Sequence, residues 1–537
     1  MKKYLSTVVG AAGMIAVITL ASRVVGFIRW LTQSYTLHGG SPTAGAYAAA
    51  NQIPNVLFEV AAGGALASVV VPLVAAPLAK HLRDDVNRIS SALLTWTLTL
   101  LIPLAIVVWV GAPTITGFLP TPAGADQQLA HDYATLMGVL LRVFAWQIPL
   151  YGVAIVTGGI LQAHRKFFWP AIAPLLSSLV VIGTYITFAG LAQGHQWEPG
   201  MLPDNAVTLL AWGTTAGVAA LSLPLLIPAW RVGVRFYPSW VFPPGVARRA
   251  GGLAMAGIGV LLAQQLSVVA TLWAAPYGGD AGALSIWQLA QSVYFLPYAI
   301  GVVPIVTAVF PALSSHVAAG DRGAAVTMIA RSTRLVVAVT LSGIAMLVAV
   351  APAVPRIFNV GSEMSAAIYA LAPALFGYGL LLHLTRVLYA TDHAGFAVSA
   401  GSIGWLAVAA LSVAGVLLLP AGPARRATLV LLGISHAVGL SVAAVLLFVG
   451  VVRSSGRASC AGLARASATA GVAAVIAGTA GWMTTTAIVG PSLRSAIAAC
   501  TAGGVVSASL SLVAIWLTDP NARAVARGYF SSKLSLR

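Results

Sequence analysis

Apolar runs of about 20 residues or more, ended by proline, glycine or charge, recur fourteen times along the chain: 6–37, 44–77, 89–112, 131–162, 168–193, 205–230, 250–275, 282–311, 333–354, 364–390, 395–420, 427–452, 463–488 and 494–518. At about 1.5 Å of rise per residue, such a run crosses the roughly 30 Å hydrocarbon core of a bilayer as a helix. The runs are rich in Ala, Gly, Leu and Val, and the alternating segments of about ten residues that mark barrel strands do not occur. The pattern predicts an all-α polytopic membrane protein of about fourteen transmembrane helices.

The prolines break this pattern in related places. Pro54 and Pro72 fall in span two, Pro149 in span four, and Pro297, Pro304 and Pro311 in span eight. Interrupted helices at corresponding positions point to a transporter's moving parts, although neighbouring helices also make ordinary kinks tolerable. An internal echo runs with them: Leu161-Gln162-Ala163 ends span four and Leu388-Tyr389-Ala390 ends span ten, each followed by a polar turn and then Phe167 or Phe396. We therefore expect two pseudo-symmetric six-helix lobes, 1–236 and 237–455, with two extra helices and a tail over 456–537.

Composition agrees: 59% hydrophobic, 8% charged, mean hydropathy +0.92. The net charge of +17 need not mean nucleic acid, because the cations punctuate the gaps between spans instead of clustering. With the amino terminus inside, Lys80, Arg83, Arg88, Arg165, Lys166, Arg231, Arg235, Arg248, Arg249, Arg322, Arg331, Arg334, Arg453, Arg457, Arg465 and the tail cations Arg523, Arg527, Lys533 and Arg537 all fall inside. Only Arg356, Arg425, Arg426 and Arg494 fall outside, which predicts both termini in the cytoplasm. The Met1-Lys2-Lys3 start mimics a signal peptide, but no Ala-x-Ala site ends the run, so an uncleaved first helix is expected. Cys460 and Cys500 fall in a loop and a span, so neither a disulfide nor a metal site is expected.

Few ionisable groups remain at membrane depth: Arg23 and Arg29 in span one, Glu59 in span two, Arg142 in span four and Arg386 in span ten. Such groups are costly in hydrocarbon and normally face a bundle interior or an aqueous path. Helical rise puts Glu59 at a level that Arg23 and Arg29 straddle, so a pair or triad is sterically reasonable. It would be either a register-fixing ion pair or part of a pathway. Arg142 and Arg386 lie toward helix ends, where they can snorkel.

One membrane carboxylate, no H-E-x-x-H and no P-loop among five lysines leave no evident catalytic machinery and no cofactor. His383 and His436 read as interhelical hydrogen-bonders. Guanidinium groups facing a cavity would suit an anionic cargo.

At Ser22-Arg23-Val24-Val25-Gly26-Phe27-Ile28-Arg29, Ala46-Tyr47 to Pro54-Asn55, and Gly63-Gly64-Ala65-Leu66 the chain resembles the MurJ/MviN family of lipid II flippases. Gly159 to Phe167 with Trp169 to Pro174, Leu296 to Ile300 with Phe310 to Ser314, and Arg386 to Ala390 with Asp392 carry the likeness to span ten. The Leu-Pro-Tyr-Ala-Ile run looks like the high-GC Gram-positive branch. The resemblance implies a MOP-superfamily fold in a bacterial cytoplasmic membrane, with a central cationic cavity and a groove for the polyprenyl tail beside spans thirteen and fourteen. Its cargo would be lipid II, moved to the outer leaflet by alternating access amid membrane lipids and other cell-wall or division proteins.

Arg23 and Arg29 inherit pyrophosphate binding from this resemblance. Glu59 is a candidate gate or counter-ion, and Asn51, Asn55, Gln264, Ser292, Arg142 and Arg386 are supporting candidates. The chain also departs from the Gram-negative pattern. The acidic residue expected before position 46 is Gly45, the arginine pair after Pro54-Asn55 is Phe58-Glu59, and the span-eight arginine is replaced near Ser292. Gln264 offers an amide oxygen in span seven, while spans eleven and twelve lack the carboxylates or amides of a sodium site. Export of another polyprenyl-linked saccharide or small molecule, and a non-transporting cell-wall scaffold, stay open beside the flippase reading.

Overall fold

Every regular element among the described residues is helical. The structure, a computed structural model, describes residues 2–242, 258–420 and 422–518. Arg248, Arg249, the four tail cations and the start of the predicted seventh span lie outside them. In chain order the helices are α1 (Lys2–Thr36), α2 (Pro42–Phe58), α3 (Gly64–Ala79), α4 (Arg83–Gly117), α5 (Gln127–Phe144), α6 (Gln147–Ala163), α7 (Phe168–Leu191), α8 (Asp204–Ser222) and α9 (Leu226–Arg231). Then come α10 (Ile258–Gly278), α11 (Ala283–Pro297), α12 (Val303–Ala318), α13 (Arg322–Val350), α14 (Val354–Ile357), α15 (Glu363–Leu371), α16 (Ala374–Ala390), α17 (Ala394–Leu417), α18 (Arg425–Ser455), α19 (Leu463–Ile488) and α20 (Leu493–Thr518).

Among the described residues, 12 stretches from Arg83–Gly117 to Leu493–Leu517 are long and apolar enough to cross a membrane, and they fall one for one on predicted spans three to fourteen. Among the described residues 12 crossings meet the test of length and apolarity, which is consistent with about fourteen helices. Helix α1 and the run from α2 through α3 occupy the first two places.

The interruptions repeat. Glu59–Gly63 joins α2 to α3 as one wide π-helical turn, and Tyr298–Val302 joins α11 to α12 in the same way. Single π turns inside α-helices are frequent at functional sites. Spans four and ten break instead, between Phe144 and Gln147 and between Leu371 and Ala374. Pro149 and Pro373 supply the cause, since proline has no N–H for the carbonyl four residues back.

Two compact units emerge, Met1–Ser285 and Ile286–Arg537. The span count divides the lobes at 236/237 instead, and the difference is α10, which packs on α2 and α3. In the amino-terminal unit α1 lies on α7, α7 on α8, α2 on α5 and α4 on α6. In the carboxy-terminal unit α17 and α16 pack on α18, while α19 and α20 pack on each other and on α13. Glycines allow the tightest of these crossings: a Cβ on Gly404 would lie 2.9 Å from the Gly439 carbonyl oxygen, and one on Gly439 2.7 Å from that of Gly404.

Local chemistry starts the helices where the spans begin. Ser41 caps α2 by accepting from Ala44 N–H at 3.1 Å, with Pro42 in the first helical turn, and Asp126 caps α5 by accepting from Leu129 N–H at 2.7 Å. The start of α2 is also pressed against the turn before α11. A Cβ on Gly45 would meet the Ala281 oxygen at 1.6 Å, and one on Gly282 would meet the Gly40 oxygen at 1.8 Å. No side chain fits at position 45 in this arrangement, which accounts for glycine where the family pattern has an acid.

After α9 the chain runs back along α4 without regular structure. Arg235 N–H donates to Asn87 Oδ1 (3.0 Å), Tyr237 N–H to Ser91 Oγ (3.2 Å) and Ser239 N–H to Thr95 Oγ1 (3.1 Å). Trp240 Nε1–H donates to Thr99 Oγ1 (3.1 Å), and Trp96 Nε1–H to the Trp240 carbonyl (3.0 Å).

Candidate functional site

On α1, Ser22, Arg29 and Gln33 recur at i, i+7 and i+11, which at 3.6 residues per turn puts them on one stripe. That stripe faces α7. Ser22 Oγ donates to the Ala171 carbonyl at 3.3 Å, and Tyr185 donates to Gln33 Oε1 at 3.2 Å. Arg29 is half-buried, with its guanidinium carbon 5.0 Å from the Trp30 ring centroid. Arg23, roughly 100° around the helix from Ser22, is exposed instead. The two predicted pyrophosphate ligands therefore leave α1 in different directions, and only Arg29 is built into the interior of the unit.

Behind Arg29 lies a polar centre that motif reasoning missed. The Tyr185 hydroxyl is 2.8 Å from that of Tyr47, which is 3.2 Å from Thr214 Oγ1, and Thr214 donates to the Leu210 carbonyl at 2.7 Å. Tyr47 is 2% exposed and stands edge-on to Phe144 and Tyr185, with centroids at 5.7 and 5.9 Å. A second group adjoins it: buried Gln147 donates to Thr215 Oγ1 and accepts from the Tyr151 hydroxyl, each at 3.3 Å.

Glu59 does not meet the arginines. No ion pair within 4 Å joins it to Arg23 or Arg29 among the described residues. Its carboxylate folds back along its own π turn, where a Cβ on Gly63 would lie 2.3 Å from Oε2. The π turn and Gly63 together make the space this half-buried carboxylate occupies. The expected triad is thus open in this structure.

The supporting candidates scatter. Asn55 Nδ2–H donates to the Asn51 carbonyl at 2.8 Å, and Ser292 Oγ donates to the Leu289 carbonyl at 2.7 Å, so both are partly spent on their own helices. Gln264 is half-buried on α10, and Arg142 is exposed in the last turn of α5. Arg386 is not simply snorkelling: its guanidinium carbon lies 5.4 Å over the Phe310 ring, close to Tyr298. Tyr298 in turn packs against Tyr378, with ring centroids 4.6 Å apart and planes inclined by 42°.

The histidines behave as structural groups. His383 Nε2 lies 3.1 Å from Thr333 Oγ1 and 3.3 Å from Ser332 Oγ, tying α16 to α13 as expected. His436 bonds its own Leu432 carbonyl at 2.9 Å through Nδ1 and packs beside Trp287 and Trp405. Among the described residues no cluster of three His, Cys, Asp or Glu side chains is in reach of one metal ion, and Cys460 and Cys500 are free thiols.

The fold of this chain is similar to those of solved membrane transporters. A multidrug-resistance MATE family transporter of the MOP superfamily, in an inward-facing conformation, matches with TM-score 0.64 at 15% identity, over 84% of this chain and 99% of that one. The structure of a lipid II flippase MurJ in an inward closed conformation matches with TM-score 0.68 at 17% identity, over 93% of this chain and 98% of that one. The chain belongs to the lipid II flippase MurJ family, whose model matches residues 35–495. A probable lipid II flippase MurJ of Rhizobium meliloti (strain 1021) is 25% identical over 370 residues, 67% of this chain and 66% of the relative. The lipid II flippase MurJ of Burkholderia cenocepacia is 27% identical over 372 residues, 67% of this chain and 68% of that one. The chain spans just under two thirds of the Rhizobium meliloti relative's length and 58% of that of Rhizobium tropici.

Proposed function

We propose that the chain is a lipid II flippase of the bacterial cytoplasmic membrane, carrying the polyprenyl-pyrophosphate-linked peptidoglycan precursor from the inner to the outer leaflet by alternating access. The observation that carries this reading is the family match across residues 35–495, running from the end of α1 to the start of α20. The arginines of α1 suit the cargo's pyrophosphate, because guanidinium keeps its charge and bonds phosphate oxygens bidentately. The role is transport, not catalysis.

In this reading Arg29 is the principal pyrophosphate ligand. Arg23 is a second cation one and a half turns away that meets the headgroup on its way in. Glu59 acts as a gate, and Asn51, Asn55, Gln264, Ser292, Arg142 and Arg386 are subsidiary contacts for the sugar, the peptide or membrane phosphates. Both termini lie inside, following the distribution of cations between spans.

Complementation tests it. A host depleted of its resident lipid II flippase receives this chain, or its Arg23→Ala or Arg29→Ala form, at matched membrane levels, and outward-facing lipid II is assayed. Restoration by the wild type and loss with Arg29→Ala is the expected result. No restoration by a correctly inserted wild type would transfer the reading to another lipid-linked cargo or to a scaffold. Restoration by both variants would keep the function and discard the arginine site.

A further inference from the structure

The strap that follows α9 leaves a cleft beside it on α4. Its N–H groups at Arg235, Tyr237 and Ser239 bond the row of Asn87, Ser91 and Thr95, so the strap lies along one row of α4 side chains. The neighbouring row of Leu94, Leu98 and Ile102 borders it. Between that row and Phe236, Tyr237 and Pro238 runs a cleft of about 510 Å³. The row continues into Ile106, which is 43% exposed, so the cleft opens toward the hydrocarbon of the bilayer.

The ladder of hydrogen bonds fixes the level of each part. Arg235 is level with Asn87, and the cleft extends along α4 from Ser91 to Pro103. Over that stretch a helix rises about 18 Å, close to the roughly 15 Å that one leaflet contributes to the hydrocarbon core. Charge sits at the mouth. Arg235 is exposed, its guanidinium carbon lies 4.8 Å from the Trp230 ring centroid, and Nη1 donates to the carbonyls of Trp230 (2.8 Å) and Val234 (3.3 Å). Nε and Nη2 have no acceptor, and Arg235 forms no ion pair within 4 Å, among the described residues. Arg83, Arg88 and Arg231 stand at the same end against Asp84 and Asp85, which leaves it net positive. Trp230 and Tyr237, 60% and 42% exposed, flank the mouth, as aromatic residues do where headgroups meet hydrocarbon.

We propose that the strap and α4 bind one anionic phospholipid, with its phosphate on Arg235 and an acyl chain in the cleft along Leu94, Leu98 and Ile102. A pinned guanidinium above a leaflet's depth of apolar wall matches the two halves of such a molecule. With Nη1 spent on carbonyls, the edge formed by Nε and Nη2 is left, and that edge can hold two phosphate oxygens at once. A peptide would instead bring N–H and C=O groups that Leu94, Leu98 and Ile102 cannot pair. Such binding requires neither the flippase role nor a particular leaflet.

The full chain in detergent is titrated with phosphatidylglycerol and with phosphatidylcholine of the same acyl chains, and bound lipid is counted by native mass spectrometry. The wild type should bind phosphatidylglycerol about tenfold more tightly, as a charged hydrogen bond is worth. Arg235→Gln should remove that preference. Arg457→Gln, which takes an equal charge from the other unit, should keep it. A phosphatidylglycerol with a photoreactive acyl chain should label peptides that contain 94–102 or 236–238, and Leu98→Trp, which fills the cleft, should abolish that label. Equal affinity for the two lipids, or an equal loss from Arg457→Gln, would mean diffuse attraction between charges and overturns the proposal. So does labelling confined to other helices. Should Leu98→Trp not fold, the wild-type labelling pattern and Arg235→Gln, a change at an exposed side chain, decide the matter. Lipid II is absent throughout, so the outcome is the same whether or not the chain transports it.

Discussion

Removing hydroxyls from α4 should release the strap that follows α9. Asn87, Ser91, Thr95 and Thr99 recur every fourth residue, so their side chains line one face of α4 at intervals of about 6 Å. The N–H groups they receive come from Arg235, Tyr237 and Ser239, every second residue of the strap, and alternate residues of an extended chain are spaced about 6.6 Å apart. The two repeats are nearly commensurate, so an extended chain can zip along a helix using one helix side chain per two strap residues. Ser91 contributes twice, accepting from Tyr237 N–H and donating to the Arg235 carbonyl at 3.2 Å.

Ser91→Ala leaves that N–H and that carbonyl unpaired beside apolar surface, at a cost of about 1–3 kcal/mol, and Thr95→Val removes one acceptor for about 1 kcal/mol. The sites are one turn apart, so their sum is only approximate. A combined loss of about 2.8 kcal/mol corresponds to a hundredfold rise in the opened population. Amide hydrogen exchange of the strap, read by mass spectrometry on the detergent-solubilised chain, measures this directly. Exchange at Tyr237 and Ser239 should accelerate by about one to two orders of magnitude in Ser91→Ala/Thr95→Val, while amides in α7 keep their wild-type rates. Unchanged exchange at Tyr237 would show that the ladder does not hold the strap, and the pitch-matching argument would be lost with it.

Gly45→Ala should open the contact between the start of α2 and the turn at Ala281, because a Cβ 1.6 Å from a carbonyl oxygen forces a backbone shift, and overpacking of this kind costs about 1–3 kcal/mol. A cysteine at the fully buried Thr43, in a Cys460→Ser/Cys500→Ser background, should then react with a membrane-impermeant maleimide; equal labelling with glycine at 45 would refute the clash. Gly63→Ala displaces only the end of the Glu59 side chain, so it should leave thermal stability near wild type while altering transport in the same direction as Glu59→Gln. If both variants keep wild-type transport at every pH tested, Glu59 is not a gate. His383→Leu should lower the unfolding temperature, through loss of an interhelical hydrogen bond worth about 0.5–1.5 kcal/mol, and leave transport per folded molecule unchanged. A transport defect in stably folded protein would make His383 functional.

The helix-length periodicity and the proline positions were enough to read spans three to fourteen and the related interruptions in spans two and eight. Those features depend on local chain chemistry: apolar length, and the missing N–H of proline. Pro149 likewise marked span four, but Pro373 was not singled out, so the matching break in span ten emerged only from the backbone. The grouping of α10 with the amino-terminal unit was not legible at all, because it follows from contacts with α2 and α3, far away in sequence.

The candidate site divides in the same way. Arg29 stood out because a charge in an apolar run is conspicuous, whereas Tyr47 and Tyr185 are 138 residues apart and each looks like an ordinary aromatic in a membrane helix. One signal was available: the stripe of Ser22, Arg29 and Gln33 on α1 assigns Arg29 to a polar face that must have partners. Depth alone instead suggested pairing Glu59 with the arginines, since rise along a helix fixes the level of a side chain but not its direction. Direction is the deciding quantity here. On the stripe that faces α7, Arg29 lies one turn from Gln33, which accepts from Tyr185, whereas Glu59 folds back over Gly63.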